Sequence, residues 1–243
     1  VSLTLGRNRA SAQGNLGRAG DRLAIDIDAP RLEDSGAPLA GSLRAKGTLN
    51  GSFAFPGVAL TLEARAMTLP SGERIASADA SVNIGDDIER AVDLDVQARG
   101  IAISGSEFDA ADFTVRGTLA RHAIELTAKS KQVDLIMSAE GGWRDPAGWD
   151  GVVKSLQNKG VYPIRLEQPV TLILARRAGS LGAATVTFAG SHVRIDVLDW
   201  RDERLVSSGS IVNFPAAFLL ARVAGLGKNV VPCFRLRRSD GFA

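Results

Sequence analysis

Alternation of aliphatic and polar residues runs through most of this chain, and it constrains the fold more than any other feature. In Leu23-Ala24-Ile25-Asp26-Ile27-Asp28 every second side chain is aliphatic, and the residues between are carboxylates or alanine. The same reading holds for Leu60-Thr61-Leu62-Glu63, Val92-Asp93-Leu94-Asp95-Val96, Phe113-Thr114-Val115-Arg116 and Ile124-Glu125-Leu126-Thr127. It returns in Ile164-Arg165-Leu166-Glu167, Val170-Thr171-Leu172 and Val193-Arg194-Ile195-Asp196-Val197. A period of two sends neighbouring side chains to opposite faces of a sheet, so each segment is a strand with one apolar and one wet face. Runs apolar on both faces, the mark of a buried parallel sheet, are rare here, which points to an antiparallel sheet.

The strands also repeat. Ile25-Asp-Ile-Asp-Ala29, Leu60-Thr-Leu-Glu-Ala64, Leu94-Asp-Val-Gln-Ala98 and Ile124-Glu-Leu-Thr-Ala128 share one template, aliphatic-polar-aliphatic-polar-alanine. Their starts lie roughly 30 to 35 residues apart, a spacing found in repeat architectures. A second echo matches Leu43-Arg-Ala-Lys-Gly47-Thr-Leu49 with Phe113-Thr-Val-Arg-Gly117-Thr-Leu119, each with a glycine interrupting the apolar face. Turn signals at Asp34-Ser35-Gly36, Pro70-Ser71-Gly72, Gly85-Asp86-Asp87 and Gly141-Gly142 separate the strands.

Composition narrows the function classes. Hydrophobic residues are 45% of the chain but aromatic ones only 5%, so aliphatic residues carry nearly all the apolar content. A compact core of this size usually takes more large rings. A net charge of +2 with no basic stripe gives no reason to expect nucleic-acid binding. The single cysteine, Cys233, excludes an internal disulfide and a cysteine-based metal site. No apolar run approaches the ~20 residues of a membrane span. A chain that opens at Val1 within an alternating run is expected to be a piece of something longer.

Two segments break the rhythm. Trp149, Val152, Val153 and Leu156 recur at helical spacing before Gly160, which predicts a short amphipathic helix over residues 149–160. Asn213-Phe214-Pro215 predicts the start of a second short helix, over residues 213–227, lying on the apolar face. The repeated sheet would then occupy residues 1–148 and 161–212. Residues 228–243 continue no alternation and are expected to form an irregular, dispensable tail, truncated or out of frame.

No catalytic constellation stands out. Asp26, Glu63, Asp93, Asp95, Glu125 and Asp196 fall on the wet faces of strands, whereas catalytic carboxylates need a cleft that shifts their pKa values. His122 and His192 are far apart, each in a strand-like stretch, and read as solvated strand residues. There is no nucleophile elbow, phosphate-binding glycine loop or zinc spacing, so no enzyme, cofactor or metal is expected.

The stretch Trp149-Asp-Gly151, Leu156, Gly160-Val-Tyr162-Pro163-Ile-Arg-Leu166-Glu-Gln-Pro169-Val-Thr-Leu172 resembles the recurring element of the TamB family and its AsmA-like relatives. In that element a tryptophan and glycine open a short helix, and a strand then enters through a proline. Phe188-Ala-Gly190, Gly209 and Pro215 follow in the order of the family. The resemblance covers roughly Ser2 to Asn229. It implies a mainly β fold, an elongated, curled antiparallel sheet with a greasy interior (a β-taco) and two short helices. It further implies a periplasmic location in Gram-negative bacteria, tethered to the inner membrane, and an Omp85-class outer-membrane partner of the TamA type. The implied roles are phospholipid transport to the outer membrane and assembly of outer-membrane and autotransporter proteins.

On this reading Ile25, Ile27, Leu60, Leu62, Leu94, Val96, Val115, Leu126, Leu166, Leu172 and Ile195 line a trough for phospholipid acyl chains. Two other readings share the alternation. One is a closed β-sandwich or β-helix used as a scaffold or adhesin. The other is a clamp that binds unfolded outer-membrane strands by β-augmentation.

Overall fold

The computed structural model describes residues 1–212, apart from 88, 104, 145–147, 189 and 203, together with the backbone of Val230–Arg237. The chain folds as two units, Val1–Lys131 and Gln132–Ala243, and each is an antiparallel sheet over nearly all its described length.

The first unit is a meander in which every strand pairs antiparallel with the next. It runs β1 (Ser2–Leu5), β2 (Asn8–Gly14), β3 (Arg22–Ala29), β4 (Ala40–Gly51) and β5 (Pro56–Thr68). It continues through β6 (Arg74–Ile84), β7 (Ala91–Ile103), β8 (Ser106–Thr118) and β9 (His122–Lys129). The repeated template falls on β3, β5, β7 and β9, so one repeat is one hairpin. Because alternate strands run the same way, each copy meets the sheet in the same orientation. The first strands are tied by Asn8, whose side chain donates to the Arg31 carbonyl (2.6 Å) and accepts from the Arg31 N–H (3.1 Å).

The second echo does not survive in register. Gly47 pairs with Leu60, whereas Gly117 pairs with Val92 and His122, one row further along the strands. Gly47 is needed for close approach, because a Cβ there would stand 2.1 Å from the Ala59 carbonyl oxygen.

The second unit begins with the long hairpin β10 (Asp134–Arg144) and β11 (Gly148–Asn158). Two broken strands follow. β12 (Ile164–Leu166) and β13 (Val170–Ala175) both pair with β11. β14 (Ala178–Leu181) and β15 (Ala184–Phe188) both pair with β16 (Ser191–Arg201). β17 (Arg204–Val212) is antiparallel to β16, and β18 (Val230–Arg237) lies parallel to β17.

Four expectations change. The helix expected over 149–160 is strand β11. Ser138 pairs with Ser155 and Ala139 with Val153, which leaves Lys154 as an extra, bulged residue. A bulge shifts the alternation by one position. Covered Trp149, Gly151 and Val153 are therefore followed, after exposed Lys154 and Ser155, by Leu156, and the four-then-three spacing imitates a helix. The rhythm consequently does not change at 149, and the units divide after Lys131 instead. The tail is not wholly irregular either, since Val230–Arg237 forms β18. A parallel partner reached by a crossover leaves no local hairpin signal in the sequence. Lastly, His122 is buried rather than solvated, its Nδ1 lying 2.9 Å from the Thr118 carbonyl oxygen. The helix expected over 213–227 lies outside the described residues.

Candidate functional site

Cross-strand register assembles the apolar residues of the first unit into rows that cross its strands. One row runs from Ile25 across Gly47, Leu60, Val82 and Leu94 to Val115, and ends at Ile124. The adjacent row runs from Ile27 across Ala45, Leu62, Ala80 and Val96 to Phe113, and ends at Leu126. All eight trough residues expected in this unit therefore meet in two neighbouring rows, four in each. The template alanines Ala29, Ala64, Ala98 and Ala128 form a third row, joined by Leu43, Ala78 and Ala111 of the intervening strands.

These rows are half covered rather than sealed. Ile25, Ile27, Leu60, Leu62, Leu94, Val96 and Leu126 are all of intermediate exposure, and among the expected residues only Val115 is buried. Each strand's main contacts are with the strands it pairs with. At ~4.8 Å per strand, the two rows from β3 to β9 span ~29 Å and present on the order of 400 Å².

The opposite face is charged and paired. Arg44 meets Asp28 at 3.3 Å, Lys46 meets Asp26 at 3.5 Å, Arg65 meets Asp79 at 2.8 Å and Arg99 meets Asp112 at 2.8 Å. Arg116 lies between Asp93 (3.7 Å) and Asp95 (3.8 Å). Such exposed pairs contribute only about 0.2–1 kcal/mol each, so their consequence is register and face identity more than stability. Asp95, Glu125 and Glu63 lie on this face, as the alternation predicts.

Sequence reading missed β6, and of β4 it found residues 43–49 without their place in the rows. Ala45, Ala78, Ala80 and Val82 belong to the same rows, but alanine occurs on both faces and gives little contrast. The signal was present in the register: a strand between two template strands must carry its inward residues on the same rows.

In the second unit the three remaining candidates occupy separate rows. Leu166 pairs with Val186, Leu172 with Gly151 and Leu181, and Ile195 with Ala184 and Gly209. Trp149 covers the glycines of the adjoining ladder, and a Cβ at Gly141 would come 2.5 Å from its ring. On the polar side, Thr187 Oγ1 donates to Glu167 Oε1 (2.6 Å), and His192 Nδ1 lies 2.8 Å from the same oxygen. The Thr187 hydrogen bond, followed by that of His192, holds the Glu167 carboxyl below its ordinary pKa. Both contacts are exposed and converge on one carboxylate oxygen. Among the described residues no group of His, Cys, Asp and Glu could hold a metal ion, and no helix is long and apolar enough to cross a membrane.

The family described as "TamB, N-terminal domain" matches residues 1–182. The chain belongs to the TamB family. The match takes in the whole first unit and the second as far as the turn after β14, so eight of the eleven expected trough residues lie in its first unit and two more, Leu166 and Leu172, in its second. Ile195, Gly209 and Pro215 lie beyond the matched residues. Within the TamB-like stretch, the strand entering through Pro163 is β12, while the element before it is a bulged strand. No curated protein and no solved structure matches the chain.

Proposed function

We propose that this TamB-family chain is a non-catalytic segment of a periplasmic, inner-membrane-tethered protein whose apolar sheet face carries phospholipid toward the outer membrane. The observation that carries the reading is the pair of apolar rows from β3 to β9, interrupted only at Gly47, with the paired charges on the other face. Soluble proteins rarely leave more than a few hundred Å² of contiguous apolar surface open without a binding partner for it. Each methylene sheltered from water contributes about 0.8 kcal/mol, so a 16-carbon acyl chain gains on the order of 12 kcal/mol when fully sheltered and roughly half of that against one open face. A continuous greasy surface is sufficient, and no specificity residues are required.

Polypeptide cargo fits the face less well. The backbone groups of β3–β8 are engaged by neighbouring strands on both sides, and the two rows offer side chains without donors or acceptors. An unfolded strand laid there would bury its own amides without partners, at a cost of roughly 1–3 kcal/mol per group. An acyl chain has no such groups. Support for outer-membrane and autotransporter assembly, with an Omp85-class partner of the TamA type engaged by another part of the full-length protein, belongs to the same proposal.

A photo-crosslinking amino acid at Leu94 or Leu126 should capture phospholipid, whereas the same probe at Asp95 or Glu125 should not. Equal capture from both faces, or none from the apolar one, would overturn the reading.

A further inference from the structure

Irregularities in the second unit fall on one line that crosses its strands. Lys154 is the extra residue of β11. The next ladder lacks partners between Val153↔Val170 and Gln157↔Arg165, where residues 167–169 separate β12 from β13. Beyond it, residues 182–183 separate β14 from β15, and Asp196 is bulged from β16 opposite β17. Pro169 has no N–H to offer a ladder. The crossing is held by two backbone bonds, Glu167 N–H to the Thr185 carbonyl and Gly182 N–H to the Thr171 carbonyl, both 2.9 Å.

The first unit has a comparable line without the break. Ala66 (φ 49°) and Gly100 (φ 60°) are left-handed, and the burial pattern slips by one beside each. The pairing of β4 with β5 shifts by one between Ala40 and Ser42, yet that of β5 with β6, β6 with β7 and β7 with β8 keeps the same register on either side. The strands of the first unit therefore cross their line whole, whereas two strands of the second unit are split at theirs.

We propose that the line through Lys154, residues 167–169, residues 182–183 and Asp196 is a hinge in the second sheet, latched by Glu167. The carboxylate reaches from the broken strand to Thr187 on β15 (2.6 Å) and His192 on β16 (2.8 Å), joining three strands beside the break. Flexing there changes the angle between the panel bearing Leu172 and Leu198 and the panel bearing Val186 and Val193. That would admit or release material held on the sheet. The hinge does not depend on the identity of the cargo.

Residue-resolved amide hydrogen exchange on the 243-residue chain tests it, because local opening sets exchange rates in folded sheets. The amides of Glu167 and Gly182 should exchange at least tenfold faster than those of Leu94 and Val96 in the uninterrupted ladder. Glu167→Ala, at an exposed position, should speed the Gly182 and Thr187 amides a further threefold or more while leaving Leu94 and Val96 unchanged. Exchange at the break within tenfold of β7, or an effect of Glu167→Ala below threefold, would overturn the hinge. Acceleration that extended to β7 would indicate global destabilisation and overturn it as well.

Discussion

Leu94→Arg, set against Asp95→Arg, separates an open apolar face from a closed core. Leu94 sits between Val82 and Val115 in its row and is half covered. Full burial of a leucine is worth about 1.5–3 kcal/mol, so replacing a half-covered one on an open face should cost roughly 1–2 kcal/mol. The arginine can keep its stem on the sheet and its guanidinium in water. In a sealed core the same change would strand an unpaired charge, at several kcal/mol out of a total stability of about 5–15. Asp95→Arg gives up a 3.8 Å exposed pair and places a second cation near Arg116, a loss of about 0.5–1 kcal/mol. Urea unfolding of the two variants should therefore differ by only about 1 kcal/mol. Phospholipid recovered with the protein, measured by native mass spectrometry, should fall sharply for Leu94→Arg and hold for Asp95→Arg. Outright unfolding of Leu94→Arg, or equal lipid recovery from both, would refute the open-face argument.

Other consequences follow from single positions. Asn158 is buried, accepts from the Asp134 and Gly160 N–H groups (2.8 and 3.2 Å) and donates to the Tyr162 carbonyl (2.7 Å). Asn158→Ala should cost about 2–3 kcal/mol in denaturant unfolding, and a loss below 1 would show that water replaces the side chain. Gly47→Ala forces a Cβ against the Ala59 carbonyl and should cost more than the ~1 kcal/mol of an average substitution, read as a drop in melting temperature. Removing Pro232 onward takes most of β18 from beside β17 and should lower the melting temperature, whereas an unchanged one would make the segment dispensable after all. Glu73, through Ser71, and Glu167, through Thr187 and His192, have carboxyls held below the usual 4.5 in the folded state. A depressed folded value gives stability that is present above pH 4.5 and lost as pH falls through the lower value. Melting temperatures should therefore decline on acidification below that point, and less steeply in Glu167→Gln.

The alternation determined the class of structure and the identity of the wet and dry faces, because a strand's side-chain period is fixed by its backbone. Ile25, Leu60, Leu94 and Ile124 could be recognised as equivalent before any pairing was known, and the template spacing already contained the hairpin repeat. Register was another matter. That Leu94 lies beside Val82 and Val115, and that Ala80 belongs with Leu62 and Val96, depends on which strand meets which and with what offset. Local residue preferences do not encode an offset; turns and the shared burial of neighbouring strands set it. The misread helix at Trp149 has the same origin. Lys154 becomes an extra residue only relative to its partner strand, so a bulge created by pairing with β10 looked, along one strand, like a change of secondary structure. The aliphatic face was thus written into the sequence strand by strand, and its continuity was decided by the tertiary pairing.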